Sequence, residues 1–326
     1  TRSVRFVLAG DQGFLLPDTM QLKCIAKAAN GANVASDIGL AACFTPFCCY
    51  VGGSPLEGIS SYSRCVAMPN MRGPKEAAAD FSIMAGDSKT DFPASGELVP
   101  SMPVISGLRF AQKALPLKPM GSLVLDWEIT PVSADFADAA WTLENPVLMC
   151  DLLGTPEAQS AIEKRILSAP SVPITLSTFF STTPSVTSDA TVNISRGVSK
   201  LTRVFVSYTA AAGDSSVNVF RHPTGDFIFQ MRISSKMIPA NAIEDGTTVF
   251  HQLHKALGSH KGAARSINID KAGYAGTEHL LWLSTEKLEG APWSGISPAN
   301  GDLVSLQIKN AGGVGFQYAV FGHEIV

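Results

Sequence analysis

Three histidines are the first side chains in this sequence whose spacing suggests chemistry. His251 and His254 lie three residues apart in a segment of helical periodicity, and His260 follows soon after it. Residues at positions i and i+3 share one face of a helix, so one metal ion could bind both imidazoles. The segment lacks the glutamate of an H-E-x-x-H motif, and apolar residues already define its buried face. We therefore interpret these histidines as contacts to a neighbouring element or subunit and predict no metal ligand.

Two carboxylates form the second candidate. Asp126 and Glu128 lie two residues apart in a segment that alternates between apolar and polar residues. Side chains at this spacing share one face of a strand, as the paired carboxylates of a glycosidase can. Trp127 points the other way. Because alternation alone produces such pairs, we interpret this face as solvated or as turned towards another subunit.

Glycine, serine and asparagine motifs are the remaining candidates. Gly52-Gly53 and the glycines of residues 312–315 are not followed by Lys-Ser/Thr or by a helix, so they indicate turns and not phosphate-binding loops. Ser195 lacks the G-x-S-x-G context of a hydrolase. Asn193 begins an N-x-[ST] pattern, but the unpaired cysteines argue against a secretory route. The sequence predicts no catalytic residue, no cofactor and no enzyme activity.

The strongest structural signals lie between residues 199 and 258. Residues 200–208 alternate with apolar side chains on both faces, which predicts a strand that is covered on both sides. Residues 226–233 predict a second strand, with Phe229 and Met231 on one face. Residues 243–257 have helical periodicity, and Gly258 provides a stop signal.

Strands and turns account for most of the remaining sequence, and residues 57–68 suit either a helix or a strand. One further helix is predicted over residues 155–167, with Thr155 as its N-cap. Residues 69–103 and 258–276 are predicted loops, the first with a short helix near residues 75–81 and the second around a short strand at 266–269. The other predicted strands are 3–8, 14–29, 38–50 with an interruption at Pro46, 108–114, 121–130, 141–152, 174–181, 191–195, 279–284, 301–309 and 315–326.

This order of elements resembles that of double jelly-roll major capsid proteins from viruses and virus-like elements of protists and algae, in the polinton-like and virophage-type lineage. The resemblance extends over most of the chain and includes no catalytic signature. The segments that carry it are SKLTRVFV (199–206) leading to FRHP (220–223), QMRISSKMIP (230–239) leading to VFHQLHKALG (249–258), LSTEKLEG (283–290), WSGI (293–296) and LVSLQIKN (303–310), and more loosely VRF (4–6) and GGSPLEGI (52–59).

The resemblance implies an all-β fold of two jelly-roll β-sandwiches in tandem, residues 1–170 and 171–326, with a few short inserted helices. It implies a structural protein that forms homotrimers, pseudo-hexameric capsomers that tile an icosahedral shell around a viral genome. The expected partners are other copies of the chain and penton or minor capsid proteins, and the expected location is the virion. Helices near residues 157–167 and 249–257 and the loops 69–103 and 258–276 are expected to shape contacts between subunits.

Composition agrees with a structural role. The 326 residues suffice for two sandwiches, and only 16% of them are charged, compared with about a quarter in a typical soluble domain. This composition suits a surface that other subunits partly cover. The net charge of −3 excludes a basic nucleic-acid binder, so a basic tail or another protein would neutralise an enclosed genome.

The first residue is Thr1 and not Met, so we expect that a preceding segment was removed. No apolar stretch is long enough to span a bilayer.

All cysteines lie in the first half of the chain, without a repeated C-x-x-C pair, so a zinc site is not predicted. We interpret them as small apolar residues, buried in a reduced compartment. The six are Cys24, Cys43, Cys48, Cys49, Cys65 and Cys150.

Two alternatives stay open at this stage. One is a single jelly-roll shell domain with a projection domain, as in small-virus capsids. The other is a β-sandwich that binds or hydrolyses carbohydrate, which would need exposed aromatic platforms or a catalytic carboxylate pair. The tryptophans, Trp127, Trp141, Trp282 and Trp293, lie mostly in apolar strand-like runs and so indicate core.

Overall fold

A computed structural model describes most of the chain. The residues that it describes are 3–10, 13–28, 31–34, 38–72, 80–81, 83–86, 96–111, 114–129, 136, 140–168, 176–182, 185–186, 189–194, 199–210, 220, 228–257, 269, 271–285, 295–298, 302–309 and 316–325.

Strands dominate both halves of this described part. The strands of the first half are β1 Ser3–Leu8, β2 Phe14–Ala28, β3 Phe44–Val51, β4 Ser54–Ile59, β5 Glu97–Leu98, β6 Ser101–Pro103, β7 Leu115–Pro116, β8 Leu123–Ile129 and β9 Trp141–Leu153. Those of the second half are β10 Ser177–Thr182, β11 Ser185–Val186, β12 Ala190–Ile194, β13 Lys200–Ala210, β14 Ile228–Ile233, β15 Lys236–Ile243, β16 Leu280–Ser284, β17 Val304–Lys309 and β18 Phe316–Ile325.

Helices are few and short. In the described part of the chain, α-helices with defined bounds are Tyr62–Arg72, Leu117–Met120, Pro156–Ser168, Gly246–Leu257 and Lys271–Ala275, and residues 80–81 and 83–85 are also helical. 3-10 turns occur at Gly39–Cys43 and Gly107–Phe110. None of the helices in the described ranges is both long and apolar enough to cross a bilayer.

Strands from the two halves meet in one nine-stranded sheet. Its order is β1-β8-β3-β4-β10-β18-β13-β16, and β11 also pairs with β18. A second sheet is built on the long strand β2, which pairs with β9 on one side and with β5, β6 and β7 on the other. A third sheet has the order β12-β17-β14-β15.

The second half has the strand order of a jelly roll. Four of its strands form the run β10-β18-β13-β16, and four form the sheet β12-β17-β14-β15. Along the chain, the strands alternate between these two sets, except for β14 and β15, which form a hairpin within one sheet. Alternation of this kind wraps two four-stranded sheets around one core, which is the jelly-roll arrangement.

The alternating segments of the sequence face the core as predicted. Leu123, Leu125 and Trp127 of β8 are buried, whereas Glu128 on the opposite face is exposed. Strand β13 is buried on both faces, since Val204 and Phe205 point in opposite directions and neither is more than 2% exposed. Both predictions are confirmed.

Aromatic side chains fill the core at the centre of each half. Around Trp127, the ring centroid of Phe47 lies at 4.8 Å and that of Tyr62 at 6.2 Å. In the second half, Phe205 lies 4.7 Å from Trp282. These rings belong to a single connected cluster of buried apolar residues, so the cores of the two halves are in contact.

Several local predictions are wrong. Leu108 to Phe110 form a 3-10 turn and not a strand, because the Ser106 hydroxyl accepts a hydrogen bond from the backbone N–H of Leu108 and caps the turn. Strand β3 runs through Pro46 without ending there, although its pairing with β8 shifts register between Phe44 and Phe47. Residues 57–68, for which the sequence allowed either type, contain the end of β4 and the start of a helix.

The predicted helix 243–257 and the two predicted loops also differ from the structure. The helix expected over residues 243–257 begins at Gly246, where Asp245 accepts a hydrogen bond from the backbone N–H of Thr248 at 2.7 Å. The preceding residues form strand β15, which the sequence analysis missed. Part of the predicted loop 258–276 is the helix Lys271–Ala275, and part of the loop 69–103 forms β5 and β6. The strand predicted at 266–269 and the helix at 75–81 lie mainly outside the described residues.

Candidate functional site

Two of the three histidines lie on one helix in the described part of the chain. His251 is exposed on the helix Gly246–Leu257, and His254 is half-buried with its ring 4.6 Å from that of Phe250. His260 lies outside the described residues. Within the described ranges, no group of three or more His, Cys, Asp or Glu side chains is placed to hold a metal ion. The contact with Phe250 gives His254 a packing role.

Asp126 and Glu128 line an open recess on the outer face of the sheet. The recess has a volume of about 330 Å³ and is lined by Ser3, Pro46, Cys48, Tyr50, Asp126 and Glu128. The Nε of Arg5 donates a hydrogen bond to Asp126 at 2.9 Å, and this bond raises the pKa of the Arg5 guanidinium. Asp126 is therefore engaged in a surface ion pair, which agrees with the interpretation of a solvated strand face.

The other motifs lie in turns, on strand surfaces or outside the described residues. Gly52 and Gly53 have φ angles of 55° and 84° and turn the chain between β3 and β4, as predicted. Asn193 is exposed on β12. Ser195 and residues 312–315 lie outside the described part of the chain.

The tryptophans give little support to a carbohydrate platform. Trp127 and Trp282 are at most 1% exposed and lie in the core. Trp141 is half-buried against Phe136, at a centroid distance of 5.2 Å, and Trp293 lies outside the described residues. A stacking platform needs an exposed ring face, and neither buried tryptophan offers one.

The six cysteines are free thiols in the structure. Four are buried, namely Cys24, Cys43, Cys49 and Cys65, and two are half-buried, Cys48 and Cys150. Burial raises the pKa of Cys24 to about 12 and also raises the pKa values of Cys43 and Cys49. A raised pKa lowers the thiolate fraction at neutral pH, and the thiolate is the reactive form.

We expect at most two thiols per chain to react with Ellman's reagent in the native protein at pH 8, and all six after denaturation. The two are Cys48 and Cys150, since burial protects the others and also holds Cys24 in its protonated form. The control is a Cys48→Ser/Cys150→Ser variant, in which the native signal should disappear. A fast native reaction that persists in this variant would contradict the assignment.

One buried carboxylate joins the two halves, and it belongs to none of the sequence motifs described above. Glu57 of β4 is only 2% exposed. Its Oε1 accepts hydrogen bonds from the backbone N–H of Gly107 at 2.8 Å and of Phe179 at 2.7 Å, and its Oε2 accepts one from the Ser106 hydroxyl. Buried carboxylates need such donors because desolvation of the charge is costly. Glu57 thus connects β4 and a 3-10 turn of the first half to β10 of the second.

Further contacts lie beside Glu57 at the same junction. Gly58 of β4 pairs in parallel with Phe180 of β10, which joins the two halves into one sheet. The backbone N–H of Ser60 donates to the Ser181 hydroxyl at 2.7 Å. Backbone pairing and side-chain hydrogen bonds therefore act together to fix the relative position of β4 and β10.

A cation–π contact strengthens the junction on the helix side. The Arg64 guanidinium lies 5.5 Å from the ring centroid of Phe220, which is fully buried. Phe220 is itself held to the second half, because its backbone N–H donates to Thr277 at 2.7 Å and its carbonyl accepts from His279 at 2.8 Å. Contacts on both sides of the β4–β10 pairing therefore join the two halves.

No protein-family model and no curated protein sequence matches the chain. Solved structures do match it over nearly its full length. The major capsid protein of Faustovirus aligns with 99% of this chain and 87% of its own, with a TM-score of 0.70 and 8% identity. The fold of this chain is a double jelly roll. The resemblance noted in the sequence is confirmed at the level of the fold.

Other double jelly rolls align over a similar extent. VP54 of PBCV-1, as fitted into a cryo-EM reconstruction of the virophage Sputnik, aligns with 99% of this chain and 89% of its own, with a TM-score of 0.65 and 10% identity. The major capsid protein of STIV aligns with 98% and 91%, with a TM-score of 0.56 and 10% identity. At such low identity, the shared feature is the arrangement of the two jelly rolls, and in this chain Glu57 lies where they meet.

Proposed function

We propose that this chain is a major capsid protein, a structural and non-enzymatic subunit of a virion. The observation that carries the proposal is the match of the whole double jelly roll to the Faustovirus major capsid protein, at a TM-score of 0.70. Because fold alone does not define function, three features of the chain add support: its low charge, its hydrogen-bonded junction between the two halves and its exposed apolar strand surfaces.

The proposed assembly unit is a homotrimer. Two jelly rolls per chain, residues 1–170 and 171–326, would give three copies six similar sandwiches and a pseudo-hexameric outline. Among the described strands, β4 and β10 make the one pairing between these two ranges, which supports a boundary near residue 170. Closed symmetry then lets one chain make many equivalent contacts in an icosahedral shell.

The proposed partners are other copies of the chain, together with penton or minor capsid proteins. A net charge of −3 supports a shell that encloses its genome without sequence-specific binding. We also propose that the helices near residues 157–167 and 249–257 and the segments 69–103 and 258–276 shape the contacts between subunits. Normal assembly after replacement of both segments by short Gly/Ser linkers would contradict that contact role.

The test of the proposed function is the size of the purified chain in solution. We expect light scattering to give a mass three times that of the 34.4 kDa chain, or negative-stain microscopy to show closed shells of uniform diameter. A protein that stays monomeric at high concentration would argue against the capsid function. Glycan binding would then be measured, because the remaining alternative is a carbohydrate-binding β-sandwich.

A further inference from the structure

Strand β9 is a sheet edge with an unusual surface. Among the described strands, it pairs only with β2, so the other side of its backbone has no strand partner there. Side chains two residues apart share a face, and one face of β9 carries Val147, Met149, Asp151 and Leu153. We call these four residues the β9 stripe. Its apolar members are 49%, 37% and 49% exposed, and Asp151 is also exposed.

An exposed apolar edge strand of this kind is typical of a surface that a binding partner buries. Exposed, long and apolar edge strands promote association between chains, and contiguous apolar patches mark interaction surfaces. Pro146 interrupts the run of N–H donors along β9. Pro146 therefore favours a partner that packs against the side chains of β9. A partner that adds a further strand along the whole edge would lack one hydrogen bond at Pro146.

Strand β15 provides an edge of complementary character in the other half. It pairs only with β14 among the described strands, and it also contains a proline, Pro239. Met237 is 38% exposed and lies opposite Arg232 of β14 in the ladder. Arg232 is exposed on the same face. We call Arg232 and Met237 the β15 patch, and it combines an apolar side chain with one cation.

The geometry of Arg232 suits recognition of a carboxylate. Its Nε donates to the carbonyl of Ser234 at 2.7 Å, a contact within its own hairpin that orients the guanidinium. The terminal Nη groups are the part of the guanidinium that pairs with a carboxylate in a fork geometry. The β9 stripe contains one carboxylate, Asp151, among three apolar side chains.

The net charges of the two halves are opposite in sign, as are the charges of Asp151 and Arg232. Residues 1–170 contain 13 Lys and Arg against 17 Asp and Glu, a net charge of −4, whereas residues 171–326 contain 12 against 11, a net charge of +1. Contacts between unlike halves are therefore favoured over contacts between two first halves, since opposite potentials attract and like charges repel.

We propose that the β9 stripe of one copy packs against the β15 patch of a second copy, with Asp151 paired to Arg232. The contact joins unlike surfaces, so it is heterologous, and repetition around an axis closes a ring. The first half of each copy then lies beside the second half of the next. This inference rests on the proposed function, because it names the surface through which the capsomer forms.

Charge reversal tests the pairing. We expect Asp151→Lys and Arg232→Asp each to raise the concentration needed for self-association at least tenfold, as measured by light scattering over a dilution series. The chain with both substitutions should recover most of the loss, because every contact then again joins one cation and one carboxylate. The matched control is Glu128→Lys, which reverses an exposed strand carboxylate outside both surfaces and should associate like the unmodified chain.

The results of the association experiment distinguish failure of the proposed function from failure of the β9–β15 contact. An unmodified chain that does not self-associate overturns the proposed function and this inference with it. If the unmodified chain associates and both single variants associate equally well, only the β9–β15 contact is overturned. Weak association of the single variants without recovery in the double variant overturns the pairing of Asp151 with Arg232. The denaturation midpoint of each variant shows that it is folded.

Discussion

Replacement of Glu57 with alanine is expected to lower the free energy of unfolding by about 3–5 kcal/mol, the loss that follows removal of one partner from a buried charged network. Glu57 is 2% exposed and is the shared acceptor for Gly107, Phe179 and Ser106. Alanine leaves two backbone N–H groups and one hydroxyl without that acceptor, and a buried unsatisfied polar group costs about 1–3 kcal/mol. Urea denaturation followed by tryptophan fluorescence measures the loss, because Trp127 and Trp282 report on the two halves.

The matched control for this prediction is Glu97→Ala. Glu97 also carries a carboxylate in a strand, but its side chain is 44% exposed, and it contacts Lys27 at 3.1 Å on the surface. Exposed ion pairs contribute little to stability, so the denaturation midpoint should hardly move. Equal effects of Glu57→Ala and Glu97→Ala would show that the junction does not depend on the buried carboxylate.

Glu57→Gln separates shape from charge. The amide keeps the volume of the side chain and one oxygen acceptor, but its NH₂ group places donors opposite donors at one of the three contacts. We expect a loss that is smaller than that of the alanine variant and clearly larger than that of the control. A glutamine variant as stable as the unmodified chain would mean that the junction needs only a polar side chain of this size.

The sequence predicts those elements whose side-chain pattern is local. Strands β8 and β13 were recognised because alternation over seven or more residues is a strong signal of a strand. The helix Pro156–Ser168 was recognised from Thr155 and Pro156, which mark a helix start. These signals depend on a few neighbouring residues, and the structure agrees with them to within one or two residues.

Features that depend on distant contacts could not be predicted in this way. Strand β15 has weak alternation and a proline, and it is a strand because β14 pairs with it. The importance of Glu57 depends on donors 50 and 122 residues away. One local signal was available for Glu57, because alternation along β4 places it on the inward face with Ile59, where a carboxylate is unusual.

Gly39→Ala is expected to destabilise the fold by about 3 kcal/mol or more. Gly39 has a φ angle of 52°, and a Cβ atom there would lie 2.0 Å from the carbonyl oxygen of Gly86 and 2.3 Å from that of Ala85. The left-handed backbone costs an L-residue about 1–2 kcal/mol, and overpacking in a buried site adds about 1–3 kcal/mol. The obstructing atoms belong to the backbone, so a change of side-chain rotamer cannot relieve the overlap. Chemical denaturation measures the change.

Gly53→Ala is the control that separates the cost of the left-handed backbone from the cost of overpacking. Gly53 also has a positive φ angle, 84°, but no atom lies within 4 Å of the position that its Cβ would take. We therefore expect only the backbone term, about 1–2 kcal/mol. If both variants lose the same stability, the close approach at Gly39 is not a real constraint. If Gly39→Ala loses more stability than Gly53→Ala, the segment around Ala85 and Gly86 is packed against the core at Gly39. The part of the proposed contact segment 69–103 around Ala85 and Gly86 would then be anchored to the first half.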